Sequence, residues 1–314
     1  MNRREFVVGA ASLVLAPRAL AGGGVPLALV TADRESRLVV LELSSRHVRA
    51  HVPTPATPRS IESVGETVVV AHTELGAVSL VRHLRVVDVL RGFEEPRYTA
   101  AHPDGRHAYV TDAGRGEVVA LDVVRGRVTG RGHVGARARH ISIAPDGRRL
   151  WVALGSKARE VAIVELADRT RPRLARTFRP PFRAHDVAWA PDGRHAWVSS
   201  GDREQLAVYD VRSGRLVARP GGDFPPQHVT FTDGRAYVTS GWSGTVRIHT
   251  LDGRELRRNP VPVGSYNVQS GWGVVVTPSL DTGTLTVLDR AGRTWYRAEI
   301  ARSSHDACVI VVAN

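Results

Sequence analysis

The sequence predicts an all-β fold: a seven-bladed β-propeller of four-stranded antiparallel blades, closed by a blade shared between the N- and C-terminal strands. Three observations carry that prediction. They are an internal repeat with a period of about 40 residues, a Pro-Asp-Gly turn at a fixed place in its clearest copies, and a repeat split between the chain ends.

The repeat is plainest in YTAAHPDGRHAYVTDAGRGEVVALDV from Tyr98, HISIAPDGRRLWVALGSKAREVAIVEL from His140 and HDVAWAPDGRHAWVSSGDREQLAVYDV from His185. Each copy reads as an apolar strand, a turn, an aromatic-Val strand, a glycine-containing turn and a third alternating strand. The Asp-Gly pair suits its turn, because glycine accepts positive φ and aspartate can bond the turn backbone. Fainter copies begin at Ser60, His228 and Asn267, and a variable fourth strand such as RPRLARTF (171–178) or GRLVARP (214–220) completes each unit. PLALVTADRESRLVVLEL (26–43) supplies second and third strands with no first, and HDACVIVVA (305–313) supplies the missing one. Units starting near 60, 98, 140, 185, 228, 267 and 305 make seven blades. Two tandem sandwiches are the competing all-β arrangement, and the split unit argues against them.

At 314 residues, 42% hydrophobic and 24% charged, the chain can bury a full core and is not disordered by composition. The single cysteine, Cys308, cannot form an intramolecular disulfide. Three residues beyond His305 on a strand, it faces away from that histidine and is expected as a buried apolar side chain. Forty-three Lys+Arg against 31 Asp+Glu give +12, and Lys157 is the only lysine. This surplus favours anionic partners without naming one.

Residues 1–21, MNRREFVVGAASLVLAPRALA, have the region structure of a signal peptide: Arg3 and Arg4, an apolar stretch to Ala16, and the small-residue site Ala19-Leu20-Ala21. The N-R-R-E-F-V core resembles the twin-arginine export motif at both arginines and at Phe6, but lacks a following lysine. The expectation is export by the twin-arginine machinery to the periplasm, cell envelope or exterior. Residues 22–314 are then one propeller domain, without a transmembrane segment and monomeric. The leader carries only a small part of the positive charge, so the basicity belongs to the mature domain.

Tyr109-Val110-Thr111-Asp112 and Tyr237-Val238-Thr239-Ser240, with the drifted Trp197-Val198-Ser199-Ser200 and Trp151-Val152-Ala153-Leu154, resemble the tetrapeptide of the YVTN-repeat β-propeller family. The resemblance covers nearly all of the mature chain and implies the propeller fold. It does not imply one activity: related propellers include surface-layer proteins, lactonases, the haem domain of dissimilatory nitrite reductase and the copper-binding propeller of nitrous oxide reductase.

Aligning the copies puts Ser60, Tyr98, His140, His185, His228, Asn267 and His305 at the head of the innermost strands, around one mouth of the channel. Four of 13 histidines fall at this one repeat position, and Arg59, Arg97, Arg139 and Arg183 stand one or two places before it. Two functional readings follow. One is a ligand site in which arginine and imidazole hold an anionic small molecule or an acidic envelope protein, with Tyr98, Tyr266 and Trp242 giving apolar contact. The other is a metal site in which His140, His185, His228 and His305 bind copper or zinc, serving a metal-dependent or histidine-assisted enzyme (a lyase, a lactonase or a redox accessory). A histidine at this position can also be a loop cap bonding neighbouring backbone, as His72 is expected to be within its blade.

The carboxylate and asparagine set of calcium-dependent lactonases is missing from the ring positions. No phosphate loop, Gly-x-Ser-x-Gly or CxxCH occurs, and the absence of a basic helix argues against nucleic acid. His102, His107 and His195 sit beside turns and are expected at the surface. Replacing Arg3 and Arg4 together with lysine is expected to leave the protein in the cytoplasm, read by cell fractionation; a fully exported double variant contradicts the twin-arginine reading.

Overall fold

Each Pro-Asp-Gly turn closes as its residues dictate. Gly105, Gly147 and Gly193 have φ of +67°, +70° and +64°, a region that disfavours a side chain. Asp104 Oδ1 accepts the amide hydrogens of Arg106 and His107 at 2.9 and 3.0 Å, and Asp192 does the same for Arg194 and His195 at 2.8 and 3.0 Å. His107 and His195 fold back on these aspartates, with Nδ1 to Oδ2 distances of 2.8 and 2.6 Å. His102, expected at the surface, is instead buried. Its Nδ1 accepts the Asp104 amide at 3.1 Å and its ring lies against Gly147 of the next blade's turn, where a Cβ would meet it at 2.5 Å.

The computed structural model describes residues 24–313, and these form seven four-stranded antiparallel sheets, each innermost strand first in its hairpin order. Blades I to VI span 60–91, 96–133, 141–178, 184–218, 229–260 and 269–299. Blade VII takes its inner strand, Ala307–Ala313, from the C-terminus and the other three, Gly24–Ala32, Arg37–Glu42 and Val48–Pro53, from the beginning of the described chain. The two ends pair antiparallel from Gly24↔Ala313 to Val30↔Ala307, as the split repeat predicts. The leader 1–21 lies outside the described residues. Among those described, no helix is long and apolar enough to cross a membrane.

Apolar side chains gather in seven clusters, and each cluster fills one seam between neighbouring blades. Val69, Val78 and Leu80 meet Val110, Val119 and Leu121 between blades I and II, and Leu29, Val40 and Cys308 meet Ile61 and Val70 at the closing seam. Trp197, Tyr109 and Tyr237, the aromatics that open the tetrapeptides, are fully buried there. Outer strands are the reverse: Arg173–Phe178 and Glu255–Pro260 are mostly exposed, and all seven outer strands carry arginine. Charge on an exposed edge discourages pairing with another sheet, so part of the positive surplus guards edges and lies away from the mouth.

The third residue of the tetrapeptide explains the motif. Thr111 Oγ1 accepts the Tyr98 amide of its own blade at 3.1 Å and donates across the seam to the Arg139 carbonyl at 2.5 Å. Ser199 takes the Asp186 amide and donates to the Gln227 carbonyl, and Thr239 takes the His228 amide and donates to the Tyr266 carbonyl. The accepting carbonyl belongs each time to the residue just before the next blade's head residue. The hydroxyl thus ties two neighbouring head positions together. Ala153 of blade III lacks it, and there the following loop substitutes: Ala158 and Ala184 exchange both backbone hydrogen bonds, at 2.7 and 2.8 Å.

Thr111→Val keeps the shape and removes the hydroxyl, stranding the Tyr98 amide and the Arg139 carbonyl. A loss of about 1–3 kcal/mol is expected, read as a lower denaturant midpoint; an unchanged midpoint shows that the latch carries no stability.

Candidate functional site

Loops from each outer strand deliver the head residues to one end of the channel. His140, His185 and His228 converge there, each offering a ring nitrogen within 4.8 Å of the others. Their ring centroids are 4.5 Å (140 to 185), 4.8 Å (140 to 228) and 5.6 Å (185 to 228) apart, and the Tyr98 ring is 4.4 Å from that of His140. His185 donates Nδ1–H to the Ser156 carbonyl at 3.0 Å, which leaves its Nε2 free. His228 places Nδ1 3.5 Å from Asp186 Oδ2 and Nε2 3.5 Å from the Tyr98 hydroxyl. His140 is 1% exposed, and neither of its ring nitrogens has a hydrogen-bond partner.

Burial, and then the neighbouring imidazoles, hold His140 well below the ordinary histidine range. The same causes, with Arg139 adding to them, push His185 down to about 3. Both rings are therefore neutral at neutral pH and carry a lone pair.

His305 does not join the three. Its Nδ1 lies 3.0 Å from the Arg59 carbonyl and its own carbonyl accepts from Asn267 Nδ2 at 2.8 Å, so hydrogen bonds to both flanks hold its ring toward blade I. The Tyr98 ring stands between, with centroids 6.5 Å apart. The expected four-histidine set is thus a set of three, and His305 acts as a blade-joining cap. Ser60 is also a cap, since its hydroxyl donates to the Arg97 carbonyl. His72 is the expected structural residue, bonding the Ala56 carbonyl and the Ser79 hydroxyl at 2.9 Å each.

The four arginines differ. Arg59 lies 3.6 Å from Asp33, Arg97 pairs with Glu95, and Arg183 reaches Asp202 only at 4.0 Å. Arg139 has no carboxylate within 4 Å among the described residues; its Nε is buried without a partner, and its guanidinium lies 5.9 Å from the Tyr98 ring centroid. Arg97, Arg137, Arg139, Lys157 and Arg183 line one cleft of about 450 Å³ beside the mouth, with Glu95 its lone acid. Burial, then repulsion from Arg139, pushes Arg97 down to about 10. Trp242 is 60% exposed beside Phe224, and Tyr266 packs on Gly241, so neither stands with the histidines.

Sequence reasoning missed the acids below the rim. Glu62, Asp186 and Asp306 line the channel with Asn267 and Gln269 around about 200 Å³. A carboxylate set is therefore present, one step deeper than the head positions. Two signals pointed to it: aspartate follows His185 and His305 directly, and Glu62, Ser142, Thr230 and Gln269 each stand two residues after a head residue. A register shift between Ala184 and Val187 brings both His185 and Asp186 to the channel, which strict alternation forbids. Burial pushes Glu62 up to about 7 and Asp33 up to about 6, and raises Asp306 well above the carboxylate range.

No protein-family model matches the chain, and no curated protein matches it. Solved structures do. A functionally unknown protein from Desulfotomaculum acetoxidans DSM 771 superposes with a TM-score of 0.76 at 14% identity, over 90% of this chain and 98% of that one. Kuenenia stuttgartiensis hydrazine synthase gives 0.65 at 16%, over 82% and 95%. Dihydro-heme d1 dehydrogenase NirN in complex with DHE gives 0.63 at 19%, over 87% of this chain and 63% of that one. At these identities the likeness shows the propeller fold alone.

Glu62 binds a proton up to about pH 7 in the folded chain but only to its ordinary 4.5 when unfolded. Its contribution is therefore full below pH 4.5 and lost as pH rises through 7. Glu62→Gln is expected to gain on the wild type over that window by roughly 1–3 kcal/mol, measured as the difference in denaturant midpoints at pH 4.5 and 8. A difference that does not grow with pH contradicts a buried, protonated Glu62.

Proposed function

We propose that this protein is a binding protein of the cell envelope that holds an anionic ligand, a small polycarboxylate or phosphate or an acidic side chain of a partner, at the rim of its channel. The observation that carries this reading is the cleft itself: five cations against Glu95, in about 450 Å³, with Ser156 on its wall holding the neutral His185. Cations confined together repel: burial first, and then Arg139, pushes Arg97 down to about 10. An anion entering the cleft replaces that repulsion with charge-assisted hydrogen bonds. Arg139, without a carboxylate partner and with a buried unpartnered Nε, is the anchor of this arrangement, while Arg137, Lys157 and Arg183 are exposed and reach the ligand from outside. The volume suits a small molecule.

Export through a twin-arginine leader fits this assignment, since a binding protein that folds before export carries its preformed cleft across the membrane. The names of two solved neighbours, hydrazine synthase and dihydro-heme d1 dehydrogenase, belong to those proteins. Binding rather than turnover is assigned here because charge and hydrogen-bond donors dominate the lining of the cleft.

Thermal unfolding with citrate, pyrophosphate or sulfate tests the reading. A bound anion at a hundred times its dissociation constant adds about 2.7 kcal/mol, which appears as a rise of several degrees that shrinks in high salt. Arg139→Ala combined with Lys157→Ala is expected to weaken binding at least tenfold without unfolding the protein. Equal stabilisation of the double variant, or none of the wild type by any of the three anions, overturns the proposal.

A further inference from the structure

The geometry points to a transition-metal site at the head of the channel, in which His140, His185 and His228 bind one zinc or copper ion. It goes beyond the anion cleft and depends on different side chains. Three imidazoles from three consecutive blades offer nitrogens within 4.8 Å of one another. A tetrahedral ion with bonds of about 2.0–2.1 Å needs its ligands roughly 3.3 Å apart, a closure that small side-chain rotations supply.

His140 is the decisive member. A buried imidazole with both nitrogens unpaired is expensive, and neither nitrogen of His140 meets a partner in hydrogen-bond geometry. An ion between the three rings removes that cost. The other two rings have outer partners of the kind that orient metal-binding histidines: His185 donates Nδ1–H to the Ser156 carbonyl, and His228 has the Asp186 carboxylate 3.5 Å from its Nδ1. His185 keeps Nε2 for the ion, and His228 Nε2 has only the long 3.5 Å contact with the Tyr98 hydroxyl to give up.

Charge also balances. Arg59 and Arg97 are paired with Asp33 and Glu95, and Asp186 lies directly behind His228. The nearest cation, Arg139, lies over the Tyr98 ring, which itself packs on His140. With three protein ligands the ion keeps a fourth position for an outside ligand, and the Tyr98 hydroxyl stands 3.5 Å from His228 Nε2. Neutral imidazole ligands suit zinc and copper over magnesium or calcium. Ser156 lines the cleft and also holds His185, so the anion cleft and the histidine cluster share a wall.

The test is titration of the chelator-treated full chain with cobalt(II), read by visible absorbance, followed by displacement with zinc(II). One equivalent is expected, with the intensity of a four-coordinate ion. X-ray absorption of the zinc form should count three imidazole nitrogens. Alanine at His140, His185 or His228 should weaken binding at least 100-fold, Asp186→Asn about 10–100-fold, and His305→Ala should leave it unchanged. A folded wild type that takes up no stoichiometric cobalt, a zinc form with fewer than two imidazoles, or equal binding by the triple alanine variant overturns the site. Anion stabilisation of metal-free protein is measured separately, so the failure of one proposal leaves the other standing on its own data.

Discussion

In three of the seven blades a single hydroxyl, donated across a seam to the main chain just before the neighbouring head residue, fixes where the groups at the channel mouth stand. Seven apolar clusters hold the blades together, but apolar burial is non-directional and tolerates sliding. The bonds of Thr111, Ser199 and Thr239 do not, because each satisfies an amide on one side and a carbonyl on the other. In blade III, where Ala153 stands at the hydroxyl position, the loop that carries Ser156 and Lys157 makes the connection, and both residues line the rim. The repeat departs from its pattern where the candidate ligand groups are densest. Such local departures are expected at functional sites.

The mouth is layered by charge. Arginines and Lys157 occupy the rim, the imidazoles of His140, His185 and His228 come next, and acids lie below. Burial pushes each layer toward neutrality: Arg97 loses proton affinity, His140 and His185 stay unprotonated, and Glu62 and Asp306 gain proton affinity. This arrangement lets many ionisable groups share a narrow channel without large uncompensated charge. It also leaves the groups at the top with unused capacity, donors on Arg139 and lone pairs on His140.

The net charge misleads when read as one number. Every outer strand carries arginine, and several rim arginines are already paired. What distinguishes the cleft is five cations facing a single acid, a local imbalance that a total of +12 neither requires nor locates.

The sequence by itself determined the architecture. Blade number, strand order and the closure of the ring by HDACVIVVA follow from a repeat whose turns and alternation are local properties of the chain. It also showed that histidines recur at the heads of the inner strands, and it placed His72 and Cys308 as buried structural residues. Only the tertiary structure decided which histidines share a point. His140, His185 and His228 converge while His305 turns away, because hydrogen bonds to Arg59 and Asn267, 246 and 38 residues distant in sequence, orient its ring and backbone. The same holds for Asp186, which a register shift carries to the channel, and for Lys157, which the connecting loop of blade III carries to the rim. Those outcomes depend on contacts between blades, and such contacts leave no periodic trace in the chain.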